Sequence, residues 1–361
     1  MENKNILEFC LSPALGGLEL CVKDNYEYFK EKTTTYICVA PNKSLDKILD
    51  IDDKFLLTRN KFFPIFPALK LAKFINEKDI DVIHFHWTRD IAVVVLAKVL
   101  STKKPKIVQS RHMRMTRFKD DFYHKWLYKN IDIMHAVTKE VAKQLKKYIL
   151  QDIRPKVEMV YLGVNEPNID KNKVKNLKEK YALNDKFTIG IVGRIEDGKG
   201  QHLVIEAIGK LKELNIKALI VGSAMDDEYL ASLKEKGKKL DIEDKVIFTG
   251  FTKDVNEHMQ LCDAIVLATI EETFGLVVIE AMVNKKCIIA VNKGGPLEII
   301  EDSKDGLLFD RDSDELKNKI KSIYEDANLK NKLSLNGFEK VKKIFNKELQ
   351  NHKLYDRIIK C

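Results

Sequence analysis

Glu272-Thr-Phe-Gly-Leu-Val-Val-Ile-Glu280 places two carboxylates eight positions apart, on either side of a glycine. The first acid follows a polar stretch, Thr269-Ile-Glu-Glu, and the second lies inside an apolar run of helical spacing, Gly275-Leu-Val-Val-Ile-Glu-Ala-Met. If Gly275 opens a helix, Glu272 stays in the loop before it and Glu280 sits one to two turns along. The unpaired amides at the helix start then lie between the acids and, with the positive end of the helix dipole, form an anion site. A phosphate flanked by two hydroxyl-binding carboxylates describes a sugar nucleotide. Two acids at this spacing also occur by chance, so the rest of the chain has to support the reading.

Short apolar runs alternate with amphipathic segments on both sides of that stretch. Strands are expected at Ile6-Leu-Glu-Phe-Cys-Leu, Tyr36–Ala40, Val82–His86, Ile107–Ser110 and Ile133–Val137. A second series is expected at Phe187–Gly193, Ala218–Gly222, Val246–Gly250, Ala264–Ala268 and Cys287–Val291. Alternation of this kind means α/β structure with parallel sheets, and two series in 361 residues mean two Rossmann-like domains. The break is expected at Gly163-Val-Asn-Glu-Pro-Asn-Ile-Asp, which is rich in turn-forming residues.

Composition narrows the classes. An apolar fraction of 45% supplies two cores and excludes a disordered chain. Met1-Glu-Asn-Lys-Asn lacks the order of a secretory signal, and the longest apolar runs fall well short of the roughly 20 residues that span a bilayer. The six cysteines are scattered, with no C-x-x-C pair, so zinc, redox and disulfide frameworks are not expected and a reducing cytoplasm is. Residues 1–165 carry 29 Lys and Arg against 20 Asp and Glu, the whole of the net charge of +9. A basic half beside a neutral one suggests that the first half meets an anion: a membrane surface, a phosphorylated glycan or a nucleic acid.

Several loops just after expected strands carry candidate chemistry. Gly16-Gly17 allows close approach of backbone to a phosphate, or is an ordinary strand-to-helix turn. Gly193-Arg-Ile-Glu-Asp-Gly-Lys199-Gly200 nearly spells a phosphate-binding P-loop, but Gly200 stands where the Mg²⁺-binding Ser or Thr is required. Arg194 and Lys199 fit better as two cations on a diphosphate, the alternative being two solvated surface bases. His112 sits among Arg111, Arg114, Arg117 and Lys119, a cluster suited to a phosphate or polyanionic acceptor unless it is a solvated helix face. His84 and His86 have ligand-like spacing, but no nearby carboxylate or cysteine set completes a metal site, and none is expected. His135, mid-strand and with no polar company, reads as structural. Lys61-Phe-Phe-Pro-Ile-Phe-Pro-Ala-Leu-Lys-Leu-Ala-Lys-Phe reads either as an interfacial segment or as a core helix in which Leu69, Ala72 and Phe74 pack inward.

Taken in order, these motifs resemble the retaining glycosyltransferases of the GT-B fold, family 4 or group 1, with the E-x7-E signature. The similarity runs through the Gly-Gly loop, the histidine-bearing strand end, His112, the GR…KG loop, the later Glu-Thr-Phe-Gly…Glu-Ala-Met, Gly294-Gly295-Pro296-Leu-Glu298 and Asp305-Gly306. The resemblance implies two Rossmann-like domains facing across a cleft. An acceptor-binding domain would span residues 1–165 and a nucleotide-sugar domain 166–340, with a helix in 341–361 packing back on the first. It implies that Glu272 holds donor-sugar hydroxyls, Glu280 the ribose, and Arg194 and Lys199 the diphosphate, with Gly16 and Gly17 beside it. Backbone at Phe274, Gly275, Leu276 and Val277 would serve phosphate and sugar, Gly250 and Phe251 the base, and His112 the reacting sugar.

The implied activity is metal-independent transfer of a hexose with retention. The donor is a nucleotide sugar, UDP-sugar by default, and the acceptor an anionic surface glycan or glycolipid such as lipopolysaccharide core or capsule. No further cofactor and no nucleic acid is expected. The implied place is the cytoplasm, with peripheral contact at the inner membrane. The competing readings are a GT-B epimerase or phosphorylase, and a non-enzymatic polyanion-binding protein, which would have to work without the aromatic platform of a single-strand binder.

Overall fold

The computed structural model describes residues 4–60 and 63–360. Lys61 and Phe62 of the lysine- and phenylalanine-rich stretch, the first three residues and Cys361 lie outside the described residues. The chain divides into two compact units, Met1–Leu162 with Glu348–Cys361, and Gly163–Lys347.

The first unit is built on seven parallel strands: β1 (Ile6–Cys10), β2 (Thr35–Val39), β3 (Phe55–Leu56), β4 (Val82–Phe85), β5 (Lys106–Arg111), β6 (Ile133–Ala136) and β7 (Lys156–Met159). Their order is β3-β2-β1-β4-β5-β6-β7. The second unit has β8 (Phe187–Val192), β9 (Ile216–Val221), β10 (Val246–Gly250), β11 (Ala264–Leu267), β12 (Cys287–Val291) and β13 (Leu307–Phe309), in the order β10-β9-β8-β11-β12-β13. Helices cross from each strand to the next, so the central strands are covered on both faces, and β11 and β12 are buried along their whole length. In both sheets the winding reverses between two central strands, β1 and β4 in one, β8 and β11 in the other. Loops diverge there at the carboxyl ends of the strands and leave a crevice.

The unit boundaries differ from those drawn on the sequence. The first crossing comes at 162/163 rather than 165/166, and the return at 347/348 rather than 340/341. The reason is that the two crossings pair with each other. Val164 N donates to Phe345 O (2.9 Å) and Lys347 N to Val164 O (3.1 Å), and a Cβ on Gly163 would lie 2.5 Å from Lys347 Cα. The helix Ala327–Ile344 therefore runs through the expected boundary without interruption.

The last helix, Lys347–Ile359, brings Leu354 and Ile358 onto one face of the first sheet, against Ile6, Val82, Val108, Ile133 and Val160 and beside Phe29. Leu354 is 4% exposed, so Leu354→Ala is expected to destabilise the first unit by about 2–4 kcal/mol, read as a lower urea midpoint.

The helix Ile65–Glu77 settles the reading of the phenylalanine-rich stretch in part. Ala68, Leu71, Ala72 and Ile75 face the core, and Phe74 stacks on Phe55 at 4.3 Å. Leu69 does not pack inward: with Phe63 and Phe66 it is exposed, because its position falls on the opposite face of the helix.

Candidate active site

In the second unit the loops after β8 and β11, neighbours at the winding reversal, are built against each other. The loop 193–200 ends at Gly200, which caps the helix Gln201–Gly209 with φ 84°. A Cβ there would lie 2.5 Å from both Cβ and O of Ala268, at the end of β11, so only glycine lets the two loops touch. Ile270 N donates to Gly198 O (2.8 Å), and buried Gln201 donates to Arg194 O (2.9 Å), which closes the first loop on itself. A third loop braces the second: Gly295 N donates to Glu272 O (2.9 Å), and a Cβ on Gly295 would meet Phe274 O at 2.3 Å.

Gly275 is the left-handed N-cap (φ 97°) of the helix Leu276–Val283, as the sequence suggested. It offers no side-chain cap, so the first amides, at Leu276 and Val277, are left for an outside acceptor. Glu272 lies in the loop before the helix, with Oε1 accepting from Thr273 N (3.2 Å), and Glu280 lies a little over one turn into it, half-buried. Phe274 is buried, its ring 6.0 Å from that of Phe345.

The two loop cations differ. The Lys199 ammonium makes no ion pair or hydrogen bond among the described residues. Arg194 is paired with Glu196 at 3.0 Å, with half of its side chain exposed. Gly250 ends β10, where its carbonyl accepts from Gly222 N (3.2 Å), and Phe251 beside it is exposed. Sequence reading gave no role to Arg311, whose Nε donates to Ala268 O (3.0 Å) at the same loop junction while Nη2 is buried without a partner among the described residues. It lies 43 residues from Ala268, so only the fold reveals it.

In the first unit Gly16 caps the helix Gly17–Lys30, and both glycines are exposed after β1. His112 follows β5 directly and is half-buried. Two sequence readings are corrected around it. His84 and His86 do have a carboxylate: Glu8 of β1, buried between them, with Oε1 2.6 Å from His84 Nδ1 and Oε2 2.7 Å from His86 Nε2. Its signal was a charged residue inside the apolar run Ile6–Leu11. His135 does have polar company, since its Nδ1 is 2.6 Å from Ser110 Oγ and its Nε2 donates to Val160 O at 2.8 Å.

The contacts continue from His84 Nε2 to Ser110 Oγ (2.7 Å) and from His86 Nδ1 to His112 Nε2 (3.1 Å). Glu8, His84 and His86 are close enough to suggest a metal site. Ligands at zinc–nitrogen and zinc–oxygen distances in a tetrahedron, however, stand about 3.4 Å apart. Separations of 2.6 and 2.7 Å place a shared proton between these atoms instead.

Burial sets the charges here. It pushes His86 down to about 4 and His135 down to about 3, and holds His112 well below its ordinary value, helped by the neighbouring histidines and Arg111. Burial works against an ionised Glu8, yet His84 and His86 outweigh it and hold the carboxyl below its usual range.

Arg111 is not part of an anion-facing cluster. It is buried and donates to Met113 O (2.8 Å), Thr88 Oγ1 (2.6 Å) and Arg114 O (2.9 Å), shaping the loop that carries His112. Arg114 lines a separate hollow of ≈ 310 Å³ with Thr116, Glu140, Lys143, Lys147 and Tyr148.

Comparison with known proteins gives the family and the fold. Residues 135–340 match the family described as glycosyl transferases group 1, and residues 15–166 match glycosyltransferase family 4. The chain belongs to the glycosyl transferases group 1 family. It is 27% identical, over 77% of its length and 78% of the relative's, to N-acetylgalactosamine-N,N'-diacetylbacillosaminyl-diphospho-undecaprenol 4-alpha-N-acetylgalactosaminyltransferase of Campylobacter jejuni. A crystal structure of a glycosyltransferase from Rickettsia africae superposes with a TM-score of 0.89 at 25% identity, covering all of both chains. That of Anabaena HepE in complex with UDP and glucose superposes with a TM-score of 0.86 at 19% identity, covering 99% of this chain and all of that one. The two parallel-sheet units are those of the GT-B fold, and the protein is a glycosyltransferase. Among the described residues no helix is long and apolar enough to cross a membrane.

Proposed function

We propose that this glycosyltransferase moves a hexose, with retention and without a metal, from a UDP-sugar to a lipid-linked or anionic surface glycan at the cytoplasmic face of the membrane. The observation that carries the reading is the contact between the loops after β8 and β11 at the winding reversal. It sets the Lys199 ammonium, unpaired among the described residues, on one loop, and the uncapped helix start between Glu272 and Glu280 on the other.

Cleaving the bond from anomeric carbon to phosphate leaves an oxocarbenium-like sugar and a departing nucleoside diphosphate. The Lys199 ammonium and the amides of Leu276 and Val277 neutralise that diphosphate as its charge grows. The acceptor oxygen attacks on the face the phosphate leaves, and the phosphate takes its proton. Glu272 holds sugar hydroxyls, Glu280 the ribose diol, and Phe251 offers an exposed ring to the base. A lipid-linked acceptor agrees with the diphospho-undecaprenol in the name of the Campylobacter relative, and an anionic one with the basic first half of the chain.

A panel of UDP-, GDP- and ADP-sugars offered to the purified protein, with the anomeric configuration of the product read by NMR, tests the assignment. Product formed only with free phosphate as acceptor would make the protein a phosphorylase instead. Glu280→Ala is expected to raise the dissociation constant of the nucleotide at least 10-fold, the worth of a hydrogen bond to a charged acceptor, as measured by calorimetry. Unchanged affinity would remove Glu280 from the ribose site.

A further inference from the structure

We propose that the buried group Glu8, His84, His86, Ser110 and His135 is a tautomer lock for His112. The lock holds His112 neutral, with its proton on Nε2 turned inward and its Nδ1 left as a hydrogen-bond acceptor. His84 carries the one extra proton the group needs.

The inference follows from counting protons along the contacts. The chain from Glu8 through His84, Ser110 and His135 to Val160 O makes four hydrogen bonds, of 2.6, 2.7, 2.6 and 2.8 Å. Each needs one hydrogen. Neutral His84, Ser110 and His135 supply three, and an ionised Glu8 supplies none. At the far end the carbonyl of Val160 only accepts, so His135 must spend its proton on Nε2 and leave Nδ1 bare. The Ser110 hydroxyl then donates to His135 and has nothing left for His84. Four bonds therefore close only with one proton more than the neutral histidines hold. Each Glu8 oxygen faces an imidazole nitrogen, at 2.6 and 2.7 Å, an arrangement that favours the carboxylate, so the extra proton is assigned to His84 as an imidazolium paired with it in a site with no exposure on either side chain; the lowered pKa of Glu8 agrees.

The branch to His112 follows. Glu8 Oε2 accepts from His86 Nε2, so neutral His86 has no proton on Nδ1, and the 3.1 Å contact is made by His112 Nε2–H donating to it. A second proton on His86 would reverse this, but burial holds that ring neutral. The His112 Nδ1 has no partner among the described residues and is not among the sealed polar atoms, so it reaches solvent. It is offered as an acceptor to a substrate hydroxyl and is not a donor to a phosphate.

The register shows why these residues meet. Glu8 pairs with His84 across β1 and β4, and Ser110 pairs with His135 across β5 and β6. Each lies two positions beyond a residue of the apolar layer Ile6, Val82, Val108 and Ile133, on the sheet face covered by Phe29 and the last helix. His86 and His112 extend the same face by one more step. Glu8, His84 and His86 are thus positioning residues that act through His112. What the His112 Nδ1 meets rests on the function proposed above, whereas the protonation pattern does not.

Full-length protein labelled with ¹⁵N-histidine, read by long-range proton–nitrogen correlation at pH 7, tests the lock directly. The eight histidines are assigned by single substitutions. The expected spectrum has His84 protonated on both nitrogens and His112 on Nε2 alone. A neutral His84, or a proton on the His112 Nδ1, overturns the proposal. Glu8→Gln supplies one hydrogen from its amide, so the same count predicts that His84 becomes neutral with its proton on Nε2, while His112 keeps its pattern. An imidazolium persisting at His84 in that variant counts against the lock.

Transfer kinetics then separate the lock from its use. His86→Gln keeps a donor to Glu8 but removes the acceptor for His112, whereas the amide oxygen of His86→Asn replaces that acceptor. An approximately 10-fold lower kcat in the first, the worth of one hydrogen bond, with recovery in the second, places the locked His112 in the reaction. The expected spectrum with equal kcat in both variants keeps the lock and takes His112 away from the reacting sugar.

Discussion

Lys199→Ala lowers kcat/KM for sugar transfer about 100-fold, or roughly 3 kcal/mol of transition-state stabilisation, and leaves the unfolding transition where it was. The size follows from where the charge develops: the leaving diphosphate gains its negative charge as the anomeric bond breaks, so an ammonium held beside it acts mainly on the transition state. The absence of a stability effect follows from the structure. Lys199 makes no ion pair among the described residues, and its backbone position is fixed by Gly200 packing on Ala268 and by its own amide donating to Glu196 O (3.2 Å).

Arg194→Ala should cost less than Lys199→Ala, because Arg194 must first leave its 3.0 Å pair with Glu196. Steady-state kinetics with thermal melts on both variants check the contrast. A wild-type rate in Lys199→Ala removes the ammonium from the diphosphate, and with it the cationic half of the proposed site.

The fold was legible in all but three strands, and the edge strand β10 was read with its observed bounds, as the central strands were to within a residue or two. β11 and β12 are continuous apolar runs, and β1 and β8 are apolar but for Glu8 and Thr188, because neighbours cover both their faces. The strands missed, β3, β7 and β13, are all at sheet edges. β3 has two residues and β13 three, and β7 is the polar Lys156-Val-Glu-Met, half-exposed because only one side is paired.

The candidate site divides in the same way. The placement of Glu272 before the helix, Gly275 at its cap, Glu280 within it and Lys199 in the loop ending at Gly200 was readable because a loop and the helix after it are contiguous in the chain. The partnership of Glu8 with His84 and His86 was not, since it spans 76 and 78 residues and depends on β4 lying next to β1 rather than next to β3. Arg111 misled for the opposite reason: its neighbours in sequence are cations, but its neighbours in space are two carbonyls and a hydroxyl of the loop it shapes.

Asp90→Asn is expected to stabilise the protein at pH 8 and to change little at pH 4. Asp90 lies at the start of the helix Ile91–Leu100, fully buried, with Oδ2 accepting from Leu11 N (2.9 Å) and Oδ1 without a partner among the described residues. Burial raises its pKa to about 7, opposed by the Leu11 bond and by Arg59. A carboxyl raised in the folded state binds its proton more tightly there than in the unfolded chain. Its neutral form therefore supports folding fully below the unfolded value near 4, and the support is lost as pH rises towards 7. A displacement of this size corresponds to about 4 kcal/mol, from which the favourable helix start returns up to about 1 kcal/mol, leaving a penalty of about 3 kcal/mol on the ionised form.

Asparagine keeps an acceptor for Leu11 N and never ionises, so the stability difference between variant and wild type should grow from pH 4 and level off above pH 7. The shape of that difference is the test. Glu8, with its pKa displaced the other way, is present in both proteins and cancels from the comparison, as do the other carboxylates. Urea midpoints taken at unit steps of pH would show a constant offset if Asp90 were paired with water or with Arg59 in solution, and a rising one if the carboxyl is held dry beneath the loop that follows β1.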